Sequence, residues 1–333
     1  GARTALEGIA VRGRPALALL FLAPALGELA SGHQSPAQFF NPIGFAATAL
    51  PYGCGALLCR EFARRWRGGW LSLLLLGVAY GLYEEGVVSR ALFDPHWHEL
   101  EAIAGYAHAA GINWTYGIML IHFHAAISIF SSVSLVELMF PERRHEPWLT
   151  NAQAALCGLV LALWAPVLAG LAGADHPLHR PSAAAWALTG LALVGLVTAA
   201  RWVTDSPLPL VNRRVPRPRR FLVLGAVYMT ATMAAVFILP EQGIRPPLIV
   251  PVAFLFACDG VTLWLVLRWS GRTREWGDRH RLALVTGLLA FYLVFGVLGD
   301  LERFDGTSLV SLAVALLLWR LSRRVAERAG PGG

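Results

Sequence analysis

Apolar and polar residues alternate along this chain in long blocks rather than short periods, and the apolar blocks share one length scale. Ten apolar stretches occupy 15–31, 42–61, 70–90, 113–140, 152–173, 183–203, 220–240, 246–268, 281–300 and 307–325. A hydrocarbon core about 30 Å thick requires roughly 20 apolar residues per helix, and inside it backbone polar groups must be satisfied within the segment. The pattern therefore predicts an all-α, polytopic transmembrane helical bundle of about ten spans, with residues 1–333 forming a single integral membrane domain. The stretch 15–31 is short, carries Glu28 and follows Arg12 and Arg14. It reads as a retained helix or as a signal-peptide core ending near Ala30-Ser31, and a retained helix is expected.

Charge adds orientation. All 28 basic residues other than histidine are arginine, and all but Arg90, Arg180, Arg245 and Arg303 fall at every second boundary between apolar stretches. Basic connections resist translocation, so both termini are expected inside a prokaryotic plasma membrane. Topology accounts for the net charge of +7, and no nucleic-acid partner is implied. The densest arginine run, Leu208–Arg220, could rest on anionic lipid headgroups. The Pro/Arg-rich loop 204–219 also divides six helices (1–203) from four (220–325), which makes it the expected subdomain boundary.

Composition agrees: 56% of residues are hydrophobic and 15% charged, outside the usual range of soluble domains. The absence of lysine excludes a lysine Schiff base or a phosphate-binding-loop lysine. Cys54, Cys59, Cys157 and Cys258 lie inside apolar stretches without metal-ligand spacing and read as buried thiols.

Ionisable residues within membrane spans are costly and tend to mark function. Near the span ends, Glu28, Arg60, Glu61, Glu137 and Asp300 can reach headgroups or water, and structural roles are expected. Three features lie deeper. The third span contains Tyr80, Glu84 and Glu85, followed by Ser89 and Arg90. Adjacent helical residues point about 100° apart, so the two glutamates need not share a site. In a shared site, repulsion and desolvation oppose two negative charges, and one carboxyl then serves as a proton donor or acceptor. The fourth span contains His122 and His124, which project to nearly opposite sides. Asn113, Tyr116, His124, Ser128 and Ser131 trace one polar stripe that includes His124 and leaves out His122. The eighth span carries Asp259 near its middle, where a hydrogen bond to a neighbouring helix is the structural alternative to a functional role.

Further histidines, His96, His98, His108, His176 and His179, fall in connections on the outer side. Their spacing would suit a metal site, but a surface cluster is the simpler reading. If a divalent metal such as zinc is bound in the membrane, His124 and Glu85 are the expected ligands.

A Glu-Glu pair with a following arginine on one span, then a histidine on the next, resembles the CAAX-protease and bacteriocin-processing family of intramembrane proteases over residues 80–125. Glu85 and Arg90 have that family's glutamate-to-arginine step, with Gly86 at the position of the second glutamate. The resemblance implies a Glu-Glu-x-x-x-Arg helix and histidines that activate water against a peptide bond. Glu85 or Glu84 would then act as general base on water held by His124, Arg90 would orient the carboxylate, and Asn113 or His122 would stabilise the oxyanion. Tyr80, Tyr116, Ser128 and Asp259 would contact a membrane-embedded peptide or small molecule.

The competing class is a proton-coupled transporter or channel, with Glu84, Glu85, His124 and Asp259 as relay. A non-catalytic membrane subunit is the third. A hydrolase requires a carboxylate and His124 to converge; a transporter requires a polar route that also reaches Asp259 and the inner surface.

Overall fold

The computed structural model describes residues 2–103, 105–172, 178–203, 215–270 and 276–329. Ten long helices coincide with the ten apolar stretches. Helix α1 (Ala2–Pro24) continues through a π-helical turn, Ala25–Leu29. Helices α2 (Pro42–Arg65), α3 (Gly69–Val88) and α4 (Trp114–Met139) form the centre of the bundle. Helices α5 (Asn151–Ala172) and α6 (Ala183–Trp202) flank them, and α7 (Pro218–Glu241), α8 (Ile249–Ser270), α9 (Asp278–Arg303) and α10 (Thr307–Ala329) complete the chain. Eight of the ten, α2 to α9, are long and apolar enough to cross a membrane. The stretch 15–31 packs as a helix, with Leu19 and Ala23 fully buried. Strand pairing among the described residues is one short hairpin, β1 (His108–Ala109) against β2 (Ile112–Asn113), ahead of α4.

Burial separates central from peripheral helices. The most apolar window of α4 is 78% buried and that of α5 only 6%, although α5 is the more hydrophobic of the two. A helix apolar all round, yet exposed, faces lipid. Helices α7 and α9 cross at Gly225 and Gly287, where a Cβ on Gly287 would come within 2.1 Å of the Leu222 carbonyl. Small residues allow this backbone approach, which supplies packing where the hydrophobic effect supplies little.

At the end bearing most of the arginines, Arg60, Glu61 and Glu137 are buried rather than reaching headgroups or water. Glu137 accepts from Arg60 at 3.3 Å, Arg64 at 2.7 Å and Arg281 at 3.0 Å. Arg60 donates to the carbonyls of Arg144 and Glu146 and stacks over Trp148. Arg144 reaches Asp278 at 2.6 Å. These pairs tie α2 and α4 to α9, across the expected boundary between six helices and four. Most of the loop 204–219 lies outside the described residues.

Candidate functional site in the helix bundle

At the opposite end of the bundle, three π-helical segments face one another: Ala25–Leu29 on α1, Glu84–Val88 on α3 and His124–Ser131 on α4. The wider register shows in Ala30 N–H to Ala25 O and Ser89 N–H to Glu84 O, both 2.8 Å. In α4 the hydroxyls of Ser131 and Ser132 donate to the carbonyls of Ala126 and Ile127, five residues back. A π-turn inserts one residue into a helix and re-aims the side chains around it, which is why such turns concentrate at functional sites. Here each segment contributes ionisable groups to one buried cluster: Glu28, Glu84, Glu85 and His124.

His124 lies at the centre. Its Nε2 is 2.8 Å from Glu85 Oε1, and its Nδ1 is 3.3 Å from the Ser128 hydroxyl. Ser89 donates to the other Glu85 oxygen at 3.0 Å. The rings of Tyr52 and Tyr80 flank His124, with centroids at 5.5 and 5.7 Å. Tyr52 donates its hydroxyl proton to Glu28. Glu84 lies within Coulombic reach of both Glu85 and Glu28. The buried Glu84 carboxyl has the Tyr80 hydroxyl as its side-chain hydrogen-bond partner among the described residues. A buried carboxyl held by a single hydroxyl keeps acceptor capacity that water, an ion or a substrate can take up.

The cluster continues towards the molecule's edge. Glu28 Oε2 is 3.0 Å from His33 Nδ1, and His33 Nε2 contacts Glu99. Glu99 also accepts from Tyr116, which in turn accepts from Trp97. Hydrogen bonding to Glu28, and then to Glu99, pushes the His33 pKa up to about 11, against partial burial. Burial opposes the charge on Glu99, but hydrogen bonds from His33 and Tyr116 and the charge on His33 hold its pKa below the usual carboxylate value.

On the other side of α4, His122 Nδ1 is 3.1 Å from Asp259 Oδ2, and Tyr228 donates to Asp259 Oδ1 at 2.8 Å. These groups line a cavity of about 1130 Å³ that runs to Arg64, Arg144 and Arg281 at the arginine-rich end.

The structure thus brings together Tyr80, Glu84, Glu85, His124 and Ser128, and joins Tyr116 to them through Glu99, His33 and Glu28. It places the other expected residues elsewhere. Arg90 does not orient a carboxylate; its φ is +64°, and its guanidinium donates to the His179 carbonyl at 3.0 Å and faces Trp186. The π-turn ends the helix just before Arg90 and sends the chain away from the cluster. Asn113 is not an oxyanion donor: its amide nitrogen donates to the carbonyls of Ala91 and Asp94, and its oxygen pairs with His108. His122 and Asp259 belong to the second cluster.

Glu28, Tyr52, His33 and Glu99 were not expected in the site. Glu28 reads from sequence as interfacial because it lies near the end of a short apolar stretch. A signal for Tyr52 was present in Gly53-Cys54-Gly55-Ala56, since a Cβ on Gly55 would lie 2.2 Å from the Tyr80 ring. That run of small residues brings α3 against α2.

For metals, Glu85 and His124 touch directly, so a shared ion would have to separate them. The one group of three ligand atoms within 4.8 Å of one another among the described residues is His33, His98 and Glu99, at the molecule's edge. Of the histidines expected to cluster, only His98 joins it; His176 lies outside the described residues.

The model of an uncharacterized membrane protein family matches residues 17–326. The chain belongs to that family. No curated protein and no solved structure matches it. The match reaches from within α1 to within α10, so it takes in the whole bundle, and it establishes a multi-pass membrane protein. It lends no support to the protease resemblance of residues 80–125.

Proposed function

We propose that this protein is a proton-coupled transporter whose relay crosses the bundle through α4. The observation that carries this reading is the placement of two ionisable clusters back to back on one helix turn. Glu85–His124 lies on one side of α4 at 2.8 Å and His122–Asp259 on the other at 3.1 Å. The first continues by way of Tyr52, whose ring lies 5.5 Å from that of His124 and whose hydroxyl donates to Glu28, to His33 at the end bearing the hairpin; the second lines the cavity that runs to the arginine-rich end. With the arginine-rich end in the cytoplasm, protons would enter from outside at His33 and leave through that cavity. Three buried carboxylates, Glu28, Glu84 and Glu85, surround one histidine. That balance favours uptake of a cation, because unpaired charges in a low-dielectric interior cost several kcal/mol each, an order-of-magnitude figure of about 3–5. The π-segment that begins at His124 leaves α4 room to change register there.

The test is proton flux in proteoliposomes under an imposed potential, read by an entrapped pH dye. Wild type should conduct, and Glu85→Gln and Asp259→Asn should each abolish flux while folding normally. Flux that survives both substitutions would sink the relay.

A second reading, an intramembrane hydrolase, rests on the Glu85–His124 contact together with the buried Glu84 carboxyl beside it. There Glu85 or Glu84 would take a proton from water as it attacks an acyl carbon, with His124 orienting that water; the acyl C–N or C–O bond then breaks and the same carboxyl returns the proton to the departing amine or alcohol. This reading predicts that Glu85→Gln abolishes turnover of a membrane-embedded peptide or ester, whereas Asp259→Asn leaves it intact. The two substitutions therefore separate the readings.

A further inference from the structure

The cavity on the Asp259 side of α4 has features that proton transfer does not require. It measures about 1130 Å³, at or above the roughly 300–1,000 Å³ of ordinary small-molecule pockets. Its wall is mainly aliphatic and aromatic, including Leu74, Val78, Phe130 and Leu288. Phe256 and Leu263 of α8 line it and are exposed, so it opens sideways towards lipid rather than only at one end. It also lies in the seam between α3–α4 and α7–α10, the two groups joined by the Arg144–Asp278 and Arg281–Glu137 pairs.

Its polar groups divide between two ends. At the deep end Tyr228 donates to Asp259 Oδ1, and His122 Nδ1 lies 3.1 Å from Asp259 Oδ2. At the other end four arginines, Arg64, Arg144, Arg281 and Arg328, face the space alongside one carboxylate among the described residues, Asp278. Glu137 lies just behind them and is already shared by Arg60, Arg64 and Arg281. Among the described residues positive charge is therefore in excess there. Each guanidinium carries five N–H donors, and those of Arg64, Arg144, Arg281 and Arg328 outnumber the acceptors that Asp278, Glu137 and the carbonyls of Leu138 and Pro141 offer them. Guanidinium groups held in place by such contacts match phosphate oxygens in a bidentate fork. Glu137 lies fifteen positions along α4 from His122, so the two ends are separated by roughly 20 Å of helix at 1.5 Å per residue. That length suits an acyl chain extended along the apolar wall.

We infer that this cavity binds one anionic phospholipid, its phosphate on the arginine cluster and its acyl chains along α3, α4 and α8. A soluble phosphate would leave the apolar wall uncovered, and a zwitterionic lipid would not offset the excess positive charge. Basic pockets between helices near a membrane surface recognise anionic headgroups in this way. The inference rests on the cavity alone and holds whether or not the relay conducts.

The experiment uses the full chain, stripped in detergent and exposed to equal amounts of phosphatidylglycerol and phosphatidylcholine, with retained lipid counted by native mass spectrometry. One phosphatidylglycerol per chain should be retained at least tenfold over phosphatidylcholine, and excess inorganic phosphate should not displace it. Arg144→Gln combined with Arg328→Gln should remove the preference. A second variant guards against misfolding of the first: a Cβ at Gly260 meets nothing within 4 Å, so Gly260→Phe fills the cavity and should expel the lipid with every arginine in place. Equal retention of both lipids by wild type would overturn the inference, since it marks a groove filled by bulk lipid. Displacement by inorganic phosphate, or full retention in Gly260→Phe, would overturn it as well.

Discussion

Replacing His124 by alanine and Glu84 by glutamine should shift stability by very different amounts, although both side chains are buried in the same cluster. His124→Ala removes the partner of Glu85 Oε1 and leaves that carboxylate only the Ser89 hydroxyl at 3.0 Å. Stripping one member from a buried pair costs about 3–5 kcal/mol, because the survivor stays desolvated. Glu84→Gln does the reverse. It replaces a buried carboxyl beside the like-charged Glu85 and Glu28 by a neutral amide whose oxygen can still accept from Tyr80. Like-charge repulsion is relieved and no hydrogen bond is lost, so this variant should be neutral or slightly stabilised. The two should differ by at least about 3 kcal/mol, or two decades in the unfolding equilibrium at about 1.4 kcal/mol per decade. Reversible unfolding of the purified protein in mixed micelles, followed by circular dichroism, measures both. Equal destabilisation by the two substitutions would refute the reasoning, since Glu84 would then hold a structural contact that the amide does not replace.

Glu137→Gln should destabilise the protein by about 3–5 kcal/mol in the same assay, because it weakens the shared acceptor of Arg60, Arg64 and Arg281; a loss below 1 kcal/mol would show that the arginines are held by backbone carbonyls instead. The His33 pKa is raised from 6.5 to about 11. Its contribution to stability is therefore complete below pH 6.5 and lost as pH rises through about 11. Histidine-selective NMR should show the His33 ring as an imidazolium well above pH 6.5, and a His33 ring that titrates near its ordinary value would contradict the pairing with Glu28 and Glu99. Gly287→Leu should separate α7 from α9, because the first added carbon already meets the Leu222 carbonyl at 2.1 Å. A cost of about 1–3 kcal/mol or more is expected for such overpacking, and an unchanged unfolding midpoint would argue against the crossing. Single cysteines introduced at Ser35 and Arg323 should label from opposite sides of sealed vesicles, with Arg323 on the cytoplasmic side; labelling from the same side would reverse or break the assumed orientation.

The ten helices were legible in the sequence because bilayer thickness imposes one length on every apolar block, and that signal survives without packing information. The pairing of Glu85 with His124 was legible in part. The polar stripe on α4 singled out His124 over His122, and the structure places the two rings in different clusters. Arg90 and Asn113 misled because spacing rules assume a continuous α-helix, whereas a π-turn and a change of chain direction separate Arg90 from Glu85. Glu28 was hidden by its position near the end of an apolar stretch, where a carboxylate normally meets water. Only the π-turn at Ala25–Leu29 and the close packing of α2 show that it is buried beside Tyr52. Three-dimensional convergence of α1 with α3 and α4 leaves no mark on hydrophobic periodicity. The same holds for the cavity, whose walls come from helices far apart in sequence.

The central claim is that the His124 cluster, with its three buried carboxylates, binds at least one exchangeable proton. Infrared spectroscopy of the reconstituted protein tests it most directly, through the carbonyl band of a protonated carboxyl group at neutral pH. The account predicts such a band, shifted on deuterium exchange and removed or displaced in Glu84→Gln or Glu85→Gln. A spectrum with no protonated carboxyl, or one identical in wild type and both variants, would contradict it.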